Sequence, residues 1–113
     1  MKRDMNLFID DILKSIKNIE EFTKGLTKEK FSKDNLRQSA TIRELEIIGE
    51  ASKNISPSIK EKYSNTPWKD IAGFRDILSH AYFGVNIDRV WRIIKEDLPL
   101  LEKQINKIKE ELN

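Results

Sequence analysis

A chain of 113 residues is expected to fold as one domain, residues 1–113, large enough for a single core and too short for two. Its composition, 38% hydrophobic and 35% charged with only three prolines and four glycines, lacks the turn density of a sandwich or barrel and suits amphipathic helices with solvated outer faces. The absence of cysteine excludes a disulfide framework and a thiolate metal site, while a net charge of +2 permits an RNA partner without requiring one.

No apolar run reaches the length of a bilayer span, and Asp4, Asp10 and Asp11 interrupt any signal-peptide hydrophobic region. A soluble, cytoplasmic protein is the expectation. Met5, Phe8, Ile9, Ile12, Ile16, Ile19 and Phe22 recur at steps of three and four, which predicts an amphipathic helix from about residue 3 to 24. Gly25 is placed to end it. Leu26 to Lys33 is a short basic connection around Phe31, with room for one helical turn after Thr27. Its lysines, Lys24, Lys28, Lys30 and Lys33, read first as a solvated loop and second as an RNA-contacting patch.

A second helix is expected from about Asp34 to Ile55, with Leu36, Ala40, Ile47, Ile48, Ala51 and Ile55 turned inward. Glu46 and Glu50 lie one turn apart on it and share a face, flanking Gly49. They could act as paired carboxylates, although surface charge or an ion pair with an arginine such as Arg43 is the simpler reading. Ser56-Pro57 then starts a short helix, with serine as cap and proline at the first helical position. Thr66-Pro67 repeats the device and opens a helix through Trp68, Ile71, Ala72 and Phe74. The last helix begins near Asn86. Its apolar seam runs Ile87, Trp91, Ile94, Leu98, Leu101, Ile105, Ile108, Leu112, and Pro99 should kink it. The fold class is therefore all-α, an antiparallel up-down bundle of four to five helices.

Between the last two helices lies Gly73-Phe74-Arg75-Asp76-Ile77-Leu78-Ser79-His80-Ala81-Tyr82-Phe83-Gly84, which holds the only histidine of the chain. On a helical wheel Arg75 shares a face with Ile71, Leu78 and Tyr82, where a guanidinium needs either a carboxylate, with Glu46 and Glu50 as candidates, or an anion. Asp76 and His80 are four apart, so the carboxylate can fix the imidazole tautomer and favour its protonated form. An arginine with a tunable histidine is the minimum set for cleaving an RNA phosphodiester without a metal: the histidine moves a proton, and the arginine holds the charged phosphorane. One histidine cannot be acid and base at once, which a two-fold dimer would remedy. Taken alone, His80 also reads as an ordinary capping or core histidine.

The spacing Arg75-x4-His80-x-Tyr82 resembles the signature of the HEPN superfamily, specifically the HepT-like toxins paired with minimal nucleotidyltransferase antitoxins. Ile47-Ile48-Gly49-Glu50-Ala51, Trp68 through Arg75, Val90-Trp91 and Asp97-Leu98-Pro99-Leu100-Leu101 resemble the same family, so the likeness covers most of the chain from Leu36 onward. The resemblance implies an all-α bundle that forms a homodimer, the arginine–histidine motifs of both subunits lining one cleft. It implies a metal-independent endoribonuclease with Arg75 and His80 as the catalytic pair, Asp76 in support and no cofactor. It further implies that the partner nucleotidyltransferase silences the toxin by adding AMP to Tyr82, where the added bulk and negative charge would block an RNA phosphate. The alternative is a non-catalytic module that binds a nucleotide or RNA, or docks the nucleotidyltransferase, with Arg75 as an anchor.

Overall fold

The computed structural model describes residues 2–74 and 86–112, with side chains from Met5 onward, and all regular structure among them is helical. The first helix, α1, spans Lys2–Thr23. Ile9, Ile12, Ile16 and Ile19 are fully buried along it at the expected helical steps, each contributing on the order of 1.5–3 kcal/mol by leaving water. The Thr23 hydroxyl donates to the Ile19 carbonyl at 2.8 Å, and Gly25 follows in the left-handed region at φ 76°, where a side chain would be strained. The stop is where the glycine predicted it.

The basic connection contains the anticipated turn. Helix α2 spans Lys28–Ser32, capped by Thr27, whose side chain accepts from the Lys30 amide at 3.1 Å. Phe31 is fully buried, and that burial anchors an otherwise polar segment. Its ring lies 5.3 Å from that of Trp91 at a 37° tilt.

Helix α3 spans Asn35–Lys53, with Asp34 as N-cap accepting from the Arg37 amide at 3.0 Å. Ile48, Ala51 and Ile55 are buried as expected, but the rest of the inner face departs from the sequence reading. Leu36 is 78% exposed, and Ala40 and Ile47 are only half-buried. The buried positions are Thr41, Ile42, Leu45, Ile48, Gly49, Ala51 and Ser52, with Ile55 just beyond the helix end. Two small polar residues, Thr41 and Ser52, stand on this stripe, so hydrophobicity alone points to the wrong flank. Ser52 reaches the interior by donating its hydroxyl proton to the Gly49 carbonyl at 2.8 Å.

Helix α4, Pro57–Lys62, has Ser56 as its cap, as expected, the hydroxyl accepting from the Ile59 amide at 3.3 Å. Helix α5, Trp68–Ala72, does not repeat the device. Pro67 occupies the N-cap position with no side-chain cap bond, and the Thr66 hydroxyl instead donates to Gln104 on the last helix. A long-range bond there outcompetes the local one.

The C-terminal helical run starts at its anticipated cap. The Asn86 side chain accepts from the Arg89 amide at 3.1 Å, opening α6 over Ile87–Arg92. The chain then widens into a π-helical turn over Ile93–Asp97, with the Leu98 amide bonding to the Ile93 carbonyl five residues back, and resumes as α7 over Leu98–Leu112. Pro99 explains the position of this turn. It has no N–H for the Lys95 carbonyl, and in strict α geometry its ring would crowd that group; a wider turn just before it relieves the contact. The extra residue also rotates the buried face, so Val90 and Ile93 enter the core beside Ile94, Leu98, Leu101, Ile105 and Ile108.

One core joins these elements. Helix α1 packs along α3 and against α7, α3 meets α5, and α2 rests on α3 and α6. No helix among the described residues is long and apolar enough to cross a membrane. Ile48 is fully buried on the α3 face, and its truncation would leave a cavity in this core. Ile48→Ala is expected to lower the free energy of unfolding by about 2–5 kcal/mol in urea titration, whereas Leu36→Ala should leave it within roughly 0.5 kcal/mol.

Candidate functional site

Arg75, Asp76, His80 and Tyr82 lie outside the described residues, so the geometry available is that of the two ends that hold their segment and of the clefts beside them. The leading end is fixed by α5. The Trp68 indole donates to the Tyr63 carbonyl at 3.1 Å, Ile71 is 1% exposed, and Phe74, covalently next to Arg75, is 4% exposed. The trailing end is fixed by the Asn86 cap and by Val90, which is fully buried one turn later. Two buried apolar anchors and a cap thus bracket the motif between residues 74 and 86.

The glutamates singled out from sequence both line a cleft of about 240 Å3 between α1 and α3, with Phe8, Asp11, Arg43, Ile47 and Asn54 among its other walls. Glu46 is held there by Arg43, guanidinium to carboxylate at 2.8 Å, which is the ion pair that the sequence suggested as the simpler reading. Glu50 sits one turn further along the same cleft. A contact of either with Arg75 falls outside the described residues.

A second cleft, of about 190 Å3, was not foreseen from the sequence. Asp70 and Phe74 form one wall, and Arg89, Arg92, Ile93 and Asp97 the other. It therefore opens within one residue of Arg75. Among the described residues neither Arg89 nor Arg92 forms a salt bridge, although both act electrostatically on Asp97 across the cleft. Asp97 is exposed, yet loss of water around its carboxyl pushes it above the usual aspartate range, helped by the charges of Glu96 and Asp70 and opposed by Arg92 and Arg89. The sequence signal for this cleft is slight: two arginines three apart on the polar face of a helix that begins directly after the motif.

The architecture is thus that of an all-α bundle whose buried anchors flank an arginine–histidine segment in sequence, with a cleft of mixed charge at Phe74, where the described chain breaks off. The chain matches the family described as Ribonuclease HepT-like over residues 12–108, and it belongs to that family. It is 45% identical over 109 residues to a Thermococcus cleftensis protein named "Probable ribonuclease HepT", the match covering 96% of this chain and 99% of that one. A protein of Caldanaerobacter subterraneus subsp. tengcongensis, provisionally named an RNase, is 46% identical over 101 residues, 89% of this chain and 90% of its own length. A Methanocaldococcus jannaschii protein whose name joins a gamma-glutamylcyclotransferase to a provisional RNase is 45% identical over 113 residues. That match takes in all of this chain but 51% of the relative, so the chain spans about half of that protein's length. No solved structure matches the chain.

The raised Asp97 carboxyl has a definite consequence for stability. Its neutral form is favoured in the folded chain relative to the unfolded one, so its contribution is most favourable at acid pH and is lost as pH rises through the aspartate range. Asp97→Asn is expected to raise the melting temperature at neutral pH, with the gain shrinking as pH falls toward about 4, near the ordinary aspartate value. A gain that does not change with pH would assign the effect to packing instead.

Proposed function

We propose that this protein is a metal-independent endoribonuclease that acts as a toxin in the cytoplasm, with Arg75 and His80 as its catalytic pair. The observation that carries the reading is the Arg75-x4-His80-x-Tyr82 spacing in a chain that belongs to the Ribonuclease HepT-like family. The names of its relatives as RNases support the substrate class. In the reaction the ribose 2′-oxygen attacks the adjacent phosphorus while the bond to the leaving 5′-oxygen breaks, giving a 2′,3′-cyclic phosphate and a 5′-hydroxyl. His80 takes the 2′-hydroxyl proton or supplies one to the leaving oxygen, and Arg75 holds the extra negative charge of the phosphorane. Asp76, four positions before His80 in sequence, orients the imidazole and raises its basicity.

Because each chain has one histidine, the complete acid–base set requires a homodimer that brings two motifs to one cleft. Control comes from a minimal nucleotidyltransferase that transfers AMP to the Tyr82 hydroxyl with release of pyrophosphate from ATP. The modification adds a phosphodiester charge and an adenosine beside the catalytic pair, and both repel or obstruct an RNA strand.

Two experiments test this reading. Purified protein is expected to cleave single-stranded RNA in the presence of a chelator, and His80→Ala should reduce the rate by at least about 100-fold, the scale of a lost general acid or base. Cleavage that survives the substitution, or that needs a divalent cation, would overturn the assignment. After co-expression with a minimal nucleotidyltransferase, intact-mass measurement should show added AMP that disappears in Tyr82→Phe; an adduct that persists in the variant places the modification elsewhere.

A further inference from the structure

The outer side of the C-terminal helical run carries two clefts that share one residue. The first, described above, is walled by Phe74, Arg89 and Arg92 next to the motif. The second, of about 340 Å3, is lined by Lys28, Trp91, Arg92 and Lys95 together with Asp88 and Glu96. Arg92 belongs to both. The basic groups at positions 89, 92 and 95 follow one another along the run, Arg89 and Arg92 sharing the first cleft and Arg92 and Lys95 the second, so they form one strip.

Trp91 lines the second cleft and is only half-buried. Phe31 supports its ring from within at 5.3 Å, while the Lys95 ammonium lies over it at 4.8 Å from the ring centre. A supported indole whose cover is a flexible, exposed lysine is a platform that a planar base can occupy, the displaced ammonium turning to the adjoining phosphate. The acidic groups on this side belong in the same account. Lys28 holds Asp88 at 2.9 Å, while Asp70, Glu96 and Asp97 stand among the basic groups. A strip of alternating sign is poorly suited to a duplex, whose paired bases keep their Watson–Crick amino edges from the carboxylates while both backbones present phosphates. It suits a single strand, whose bases expose amino edges to carboxylates and whose phosphates meet the guanidiniums.

We propose that this strip is the path of a single-stranded RNA leaving the Arg75–His80 motif, with Arg89 and Arg92 holding flanking phosphates and Trp91 stacking a base one cleft further on. The proposal rests on the ribonuclease reading for the identity of its ligand, but its test does not need catalysis. Full-length His80→Ala protein is titrated with a fluorescein-labelled 12-nucleotide single-stranded RNA by anisotropy over a range of salt concentrations. Adding Arg89→Ala and Arg92→Ala is expected to weaken binding about tenfold or more and to flatten the log K against log salt slope by about 1.4, roughly 0.7 for each phosphate no longer neutralised.

Lys95→Glu should weaken binding as well, and it leaves the core untouched because Lys95 is exposed. Trp91→Leu is expected to cost about tenfold at high salt, where stacking persists after electrostatic attraction is screened. Lys103→Ala with Lys107→Ala removes the same charge from exposed positions on α7 away from the strip and should leave affinity within twofold. The proposal is overturned if the arginine pair changes neither affinity nor slope, if the control pair matches its effect, if a duplex competes as well as a single strand, or if the protein binds no RNA. The two readings separate cleanly. Binding through the strip without cleavage by the unmodified chain sinks the nuclease reading alone, and cleavage with unaltered affinity in the arginine variant sinks the strip alone.

Discussion

The isoleucine seam of α1 is the constraint on which the rest of the molecule depends. Ile9, Ile12, Ile16 and Ile19 are all fully buried, and the two elements that cover them, α3 and α7, come from opposite ends of the remaining sequence. Once α1 is sandwiched in this way, the intervening residues must leave α3 and return to α6 over a fixed gap. The short helices α4 and α5 occupy that gap, and α5 docks on α3 through its buried Ile71. The segment bearing the arginine and the histidine is therefore bracketed by Phe74 and Val90, both core residues. Functional groups need such rigid supports, because small errors of placement at a reacting centre cost large factors in rate.

Pro99 links packing to this region by a different route. Without it the last helix could continue as one α-helix, and the seam from Ile87 to Leu112 would keep a single register. The π-helical turn that precedes it inserts an additional residue and turns the run about its own axis. Val90, Ile93 and Ile94 consequently reach the core together, while Arg92, Lys95 and Glu96 are carried to the outer side, where the basic strip lies.

Much of this was legible in the amino-acid sequence, for physical reasons that differ by element. The limits of α1, α4 and α6 follow from Gly25, Ser56-Pro57 and Asn86, local devices whose chemistry depends on few neighbours. The inner face of α3 was legible at Ile48, Ala51 and Ile55 but not in its first half, where Thr41 takes a core position and Leu36 projects from the first turn with 78% of its surface exposed. Thr66 misled in the opposite sense: a strong local capping signal was overridden by Gln104, 38 residues away. For the site, the arginine–histidine spacing could be read directly, and Glu46 took the arginine partner that charge alone suggested. The cleft of Arg89 and Arg92 could not be read, since its other wall, Asp70 and Phe74, comes from before the motif and only folding brings the two together.

On the ribonuclease reading proposed above, that convergence bears on how a chain with a net charge of only +2 would handle a polyanion. Long-range attraction to RNA scales with net charge and is screened within about 8–10 Å at physiological salt, so it contributes little here. What remains is short-range and depends on arrangement. Arg43 is already committed to Glu46 and Arg37 to Asp34 at 2.9 Å, and Lys109 is engaged by Asp10 at 2.9 Å. Against that background, guanidiniums without a salt bridge among the described residues stand out by position rather than by number, and Arg89 and Arg92 share a cleft with Phe74, the residue before Arg75 in sequence. On the same reading, a nearly neutral protein would discriminate through where such cations sit. It follows that moving a single arginine along α6 should matter more to RNA binding than adding several lysines elsewhere on the surface.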